Sequence, residues 1–154
     1  MSNETNEISE LASRWKRLGG SLLDGLITMA IILPVMVISG VFAQITQKHG
    51  MSIGQQVLFF CFAMVVSLLV NGYFLAKHGQ TVGKKLVGTR IVSNESGQLL
   101  TLEKVFGLRF VLPSLITQIP IVGGIFAVLD SLFIFQKNKR CIHDLIAGTK
   151  VVKV

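Results

Sequence analysis

Between Leu22 and Ala43 the chain carries a single ionisable side chain, Asp24, inside an apolar run of membrane length. A carboxylate at that depth costs on the order of 2.5–3.5 kcal/mol on insertion scales unless it finds a partner. Arg17, Ser21, Asp24 and Thr28 recur at spacings of four, three and four, so on a helix they share one face. That face cannot be turned to lipid. Gly19, Gly20, Ser21 and Gly25 are small and allow a neighbouring element to approach closely along the same flank.

The rest of the composition agrees with a membrane location. Over 154 residues, 51% are hydrophobic and only 15% charged. The mean hydropathy of +0.64 is too high for a soluble domain of this size. The net charge of +7 does not point to nucleic acid, because the cations cluster beside apolar spans, as expected of segments held on the cytoplasmic side. Cys61 lies within an apolar span and Cys141 in a basic segment, with no CxxC or ligand spacing, so neither a disulfide nor a metal site is indicated. The polar, acidic start and the length of the first apolar run argue against a cleaved signal peptide.

Residues 1–11 read as a polar N-terminal tail with Glu4, Glu7 and Glu10, followed from residue 12 to 154 by one membrane domain. Arg14, Lys16 and Arg17 mark the membrane boundary and Trp15 fits an interfacial anchor. The first span is predicted from about Leu18 to Phe42, kinked at Pro34. A link with Lys48 as its clear cation follows, and a second span of about 20 residues runs from Val57 to Ala76, about 30 Å of helix. Asn71 is its strongly polar group, near the end that meets Lys77, His78, Lys84 and Lys85, which the positive-inside rule makes cytoplasmic.

In the loop from Lys77 to Lys104, Leu86 to Val92 reads as a strand, Asn94 to Gly97 as a turn and Gln98 to Thr101 as a returning strand, a β-hairpin at the membrane surface. Near the C-terminus, Ile146 to Val152 echoes Val87 to Val92 around a shared Gly-Thr-cation-aliphatic-Val core, which predicts two strands in similar surroundings. The apolar stretch from Val105 to Phe135 is interrupted by Pro113 and by Pro120 to Gly124. A single helix there would be about 46 Å long, too long for a core of about 30 Å without strong tilt. Two short helices returning to the cytoplasm keep Lys137, Lys139 and Arg140 inside; the alternative is one broken span. The expected architecture is therefore an all-α membrane bundle of four transmembrane helices, the third and fourth short, with a small cytoplasmic β-hairpin or sheet and both termini cytoplasmic.

Gly79 to Lys85 lacks the spacing and the Ser or Thr of a phosphate-cradling P-loop, and reads as a tight loop holding Lys84 and Lys85 at headgroup level. His143-Asp144 has no second ligand cluster in sequence. What stands out is ionic. Arg17, Asp24, Arg109 and Asp130 fall at similar depth in the four-helix reading, with Asn71 as a neutral ligand nearby. Either they pair into buried salt bridges that fix helix order, or one carboxylate stays partly unpaired and exchanges a proton or cation.

Arg17 and Asp24 in the first span, Gly79 to Val92 after the second, and Arg140 to Val152 at the end together resemble the RDD family of bacterial membrane proteins. The resemblance covers nearly the whole chain from Ala12, departing at Val82, where the family often has Pro. It implies the signature set Arg17, Asp24 and Asp144, an inner-membrane location, cation/proton transport in some relatives, no enzyme activity and no cofactor. On that basis the first expectation is a small cation/proton exchanger: Asp24 exchanges, Arg17 and Arg109 tune it, and a homo-oligomer supplies the pathway. The second is a non-transporting membrane adaptor or assembly protein that binds a partner or anionic lipid. Asp144, beside His143 and Arg140, is expected at the membrane surface with Arg17 or Arg140 as its partner.

Overall fold

The computed structural model describes residues 10–47, 50–138 and 140–154; most of the N-terminal tail, Lys48 and Lys139 lie outside the described residues. Helix α1 spans Arg14–Ile38, started by Ser13, whose hydroxyl accepts the Lys16 N–H at 3.3 Å. It runs through Pro34 and ends four residues earlier than the predicted Phe42, because the chain turns at Ser39 and at Gly40 (φ 74°) into a short α2, Val41–Thr46. Helix α3, Ile53–His78, begins earlier than predicted because Ser52 and Gln55 form a reciprocal capping box. α1 and α3 have 25 and 26 residues, and each contains an 18-residue stretch with a mean hydropathy of 2.2, long and apolar enough to cross a membrane. Leu22, Leu26, Leu58 and Leu69 are all more than half exposed on their outer faces. An apolar belt of that size suits lipid rather than water.

The second apolar half is a broken helical hairpin. Helix α5 (Leu102–Lys104), a π-helical segment (Val105–Val111) and α6 (Leu112–Thr117) form one continuous rod, roughly 24 Å long. The wide π turns immediately precede Pro113, whose ring would otherwise press on the carbonyl four residues back. The chain reverses at Pro120-Ile121 into α7, Val122–Leu132, which continues as a 3₁₀ turn over Phe133–Phe135. The predicted break near Pro120 is therefore present, but each of these helices is shorter than the roughly 30 Å of a bilayer core.

The sheet differs from the predicted hairpin. After the short α4 (Val82–Leu86), strand β1, Thr89–Ser93, pairs antiparallel with β2, Thr149–Lys153, and Gln98 to Thr101 is not a strand. The turn at Asn94 to Gly97 does form, with Ser93 N–H donating to the Gln98 carbonyl at 2.8 Å. Beyond it the other edge of β1 is already occupied, since Ile91 N–H donates to the Gly79 carbonyl at 2.7 Å. Thr101 instead becomes the N-cap of α5.

The two strands that echo each other in sequence thus pair with each other. Each follows a five-residue helix, α4 or α8 (Ile142–Ile146), and a glycine with φ near 65°, Gly88 or Gly148, a conformation that glycine adopts without steric cost. Val82 corresponds to Ile142, Thr89 to Thr149, and Ile91 faces its own counterpart Val151 at the centre of the ladder. A local two-fold therefore relates the helix-turn-strand units. The core lies on this axis: Ile91, Val151, Ala12, Leu75 and Val105 are buried together, with Phe106 and Phe110 packed against them. The N-terminal segment joins the same sheet, through a bridge from Leu11 to Val152 and the Ala12 N–H donating to the Val151 carbonyl at 3.1 Å.

Candidate functional site

A short helix leaves its first backbone N–H groups without partners inside the helix. In α4 those donors are met by side chains of the long apolar helices. Asn71 on α3 accepts from Val82 N–H at 2.9 Å, and Asp24 on α1 accepts from Gly83 N–H at 2.7 Å. The Thr81 hydroxyl donates to the other Asp24 oxygen at 2.5 Å, and Lys84 Nζ lies 3.7 Å from the same oxygen. The approach depends on glycine. A Cβ on Gly83 would fall 2.2 Å from the Gly20 carbonyl oxygen and 2.8 Å from Asp24 Oδ1. Of the small residues predicted to line this flank, Gly20 makes the close contact and Gly25 meets nothing.

Lys84 is buried, which corrects the expectation of two headgroup-level lysines; Lys85 alone is exposed, with its ammonium 4.2 Å from the centre of the Phe74 ring. Burial pulls the Lys84 pKa down from 10.5 to about 8, repulsion from Arg109 adds to this, and Asp24 opposes it. Asp24, Asn71 and Thr81, together with Thr28 and Ser67, line a cavity of about 340 Å³ between α1 and α3, bounded by Met29, Ile32, Met36 and Phe110. Polar oxygens thus line one side of a cavity whose other walls are apolar.

The second cluster surrounds Asp144, which is fully buried rather than at the surface. Arg109, carried on the π segment, binds Asp144 Oδ1 directly and donates to the Thr149 hydroxyl at 2.6 Å. Arg17 Nη1 lies 3.6 Å from Oδ2, which also accepts the Cys141 N–H at 3.2 Å. Arg140 reaches only main chain: its Nε donates to the Thr149 carbonyl at 2.9 Å and its Nη2 to the Asp144 carbonyl at 3.3 Å. On α7, Asp130 accepts the His143 N–H at 2.8 Å and stands 2.7 Å from His143 Nδ1. Burial lowers the His143 pKa, and it raises that of the Cys141 thiol. Asp130, Cys141 and His143 bring three potential metal-ligand atoms within 4.8 Å of one another, a grouping that the sequence did not reveal. Arg17 and Arg109 line the same cavity and oppose a divalent cation there.

The local two-fold extends to these contacts. Gln80 donates to the Thr89 carbonyl at 2.8 Å as Arg140 does to that of Thr149. Asp24 receives the Gly83 amide of α4 as Asp130 receives the equivalent His143 amide of α8, and Asn71 receives the Val82 amide. Lys84 and Asp144, at equivalent positions, each pair with a residue of opposite charge on an apolar helix, Asp24 or Arg109.

Of the residues singled out from sequence, Arg17, Arg109, Asp130, Arg140, His143 and Asp144 come together around α8, while Asp24 and Asn71 come together around α4. Among the described residues, Arg17 and Arg109 form their ion pairs with Asp144 and not with Asp24, which corrects their expected role beside the first acid. Thr81, Gly83 and Lys84 were missed. The echo between Val87–Val92 and the C-terminus, extended a few residues towards the N-terminus, would have aligned Lys84 with Asp144.

The sequence profile described as the RDD family matches residues 11–148, a span that contains Arg17, Asp24 and Asp144. The chain belongs to the RDD family. An uncharacterized protein, YckC, of Bacillus subtilis (strain 168) is 31% identical over 140 residues, covering 91% of this chain and 83% of the relative. An uncharacterized protein of Haemophilus influenzae is 28% identical over 148 residues, covering 92% of this chain and 78% of the relative. No solved structure matches the chain. The family and the two long apolar helices make this RDD protein a membrane protein.

Proposed function

We propose that this RDD protein resides in the bacterial inner membrane and exchanges a monovalent cation for a proton at Asp24, with Lys84 as the proton-carrying partner. The supporting observation is that Asp24 both opens on a cavity with Thr28, Ser67, Asn71 and Thr81 and pairs with a buried lysine. Carboxylate, hydroxyl and amide oxygens are the ligands a hard monovalent cation takes. With Lys84 protonated, its ammonium neutralises Asp24. When a cation enters and binds the carboxylate, Lys84 loses its proton to water; when a proton returns to Lys84, the cation leaves. One positive charge is exchanged for one, so the partly buried carboxylate is never left without a counter-charge.

The orientation belongs to the same reading. Because Leu11, β1 and β2 share one sheet, the chain segments between them leave and return to the same side, which supports an even number of crossings before β1 and again before β2. Arg14, Lys16, Lys77, Lys85 and Arg140 gather at that side, in keeping with a cytoplasmic sheet and cytoplasmic termini. One chain of this size leaves little room for a full alternating pathway, which favours a homo-oligomer. Sodium-driven proton movement in proteoliposomes tests the reading. The wild type should exchange and Asp24→Asn should not; equal background movement in both would leave the non-transporting membrane adaptor as the function.

A further inference from the structure

Arg17 is 5% exposed, and its guanidinium is only half used. Nη1 faces Asp144, whereas Nε and Nη2 have no hydrogen-bond partner among the described residues. Those two nitrogens form the side-on fork of the guanidinium, whose parallel N–H bonds match two oxygens of one oxyanion. Arg17 lines a cavity of about 230 Å³ with both of these nitrogens buried. Lys84 and Arg109 add two further cations to its wall. The acids present are already engaged: Asp144 by Arg109, Cys141 N–H and Thr149, and Asp130 by His143. Lys84 is matched by Asp24 and Arg109 by Asp144, so the unused capacity in this cavity is the half of the Arg17 guanidinium that has no partner among the described residues.

A second cavity, of about 290 Å³, shares Leu18, Ser131 and Ile134 with the first and continues between α1 and α7 along Trp15, Leu132 and Phe135. A cation-bearing cavity thus adjoins a mainly apolar groove, with Arg14 held against Phe135 at its edge. We infer that this pair of cavities is a binding site for an anionic amphiphile, a phosphate-bearing lipid whose headgroup takes the Arg17 fork and whose chain lies along Trp15 and Phe135. The inference does not depend on cation exchange: Lys84 lines this cavity, but the headgroup is assigned to Arg17, and Asp24 lies in the other cavity.

Trp15 is the sole tryptophan of the chain, is largely exposed and lines the groove, so its emission reports on occupancy there. Delipidated full-length protein in a non-ionic detergent is titrated with short-chain phosphatidic acid, with phosphatidylcholine of the same chains, and with inorganic phosphate. The site predicts a saturable change in Trp15 emission, with phosphatidic acid binding at least tenfold more tightly than either alternative. Arg17→Lys keeps the charge opposite Asp144 but removes the fork, and should abolish that preference. Ser131→Phe, which fills the common wall without touching the ion pairs, should block the phosphatidic acid response while the protein stays folded. Equal affinity for the two lipids, or an unchanged preference in Arg17→Lys, would overturn the site. Inorganic phosphate binding as tightly as phosphatidic acid would overturn the amphiphile assignment.

Discussion

Lys84 and Asp144 occupy the same position in two helix-turn-strand units related by a local two-fold, and they carry opposite charge. Each is buried, and each is paired across to an apolar helix, Lys84 to Asp24 and Asp144 to Arg109. Both pairs sit where a short helix would otherwise press unsatisfied backbone against the membrane segments. They dock the amphipathic units onto the bundle and at the same time concentrate titratable groups around two cavities.

Removing one member of a fully buried pair leaves the other uncompensated, so Asp144→Asn should destabilise the protein by about 3–5 kcal/mol. The direct contact predicts stronger coupling of Asp144 to Arg109 than to Arg17, whose nearest nitrogen is 3.6 Å away. Double-mutant cycles with Arg109→Gln and Arg17→Gln, measured by unfolding in detergent, check this. Additive losses in the Arg109 cycle would contradict the geometry.

Gly83→Ala places a methyl group against the Gly20 carbonyl and the Asp24 carboxylate, and should cost about 1–3 kcal/mol by prising α4 from α1. Gly25→Ala, where nothing lies within 4 Å, should be close to neutral. Thermal unfolding of the two variants side by side separates a required close approach from a general dislike of helix substitution.

Lys84 has a folded pKa of about 8, below its ordinary 10.5, so between those values the unfolded chain holds more protons than the folded one. Stability should therefore rise with pH through that window, by up to about 3 kcal/mol, and change no further from this cause above or below it. Lys84→Met should flatten the rise. Unfolding in detergent at pH 7.5, 9 and 10.5 provides the comparison.

With Cys61 and Cys141 replaced by serine, a cysteine introduced near Val154 should stay unreactive to an impermeant thiol reagent applied to intact cells. It should react once the inner membrane is opened. Labelling from outside would place the sheet on the other face and contradict the cytoplasmic assignment.

Much of the membrane core was legible because its signals are local. The presence of the two long apolar helices and the break at Pro120 follow from hydropathy and from the chemistry of proline. The sheet was misread because strand pairing is settled by which edge is available. The Gly79 carbonyl holds one edge of β1, and only the distant β2 can fill the other. Arg17, one of two partners expected for Asp144, does face it, while the direct partner Arg109 was not foreseen there; the pairing of Asp24 with Lys84 could not be read from hydropathy, which treats every lysine beyond a span as a surface charge. The repeat carried that information, since its conserved geometry holds a cation in one unit where the other holds an acid.

The exchange account stands or falls on whether a metal cation displaces the Lys84 proton. Sodium or lithium chloride is added to weakly buffered, purified protein near pH 8, with choline chloride as the ionic-strength control, and released protons are counted with a pH-sensitive dye. The account predicts a saturable release approaching one proton per chain in the wild type, lost in both Asp24→Asn and Lys84→Met. No release in the wild type beyond the choline control, or release that survives in Lys84→Met, would contradict it.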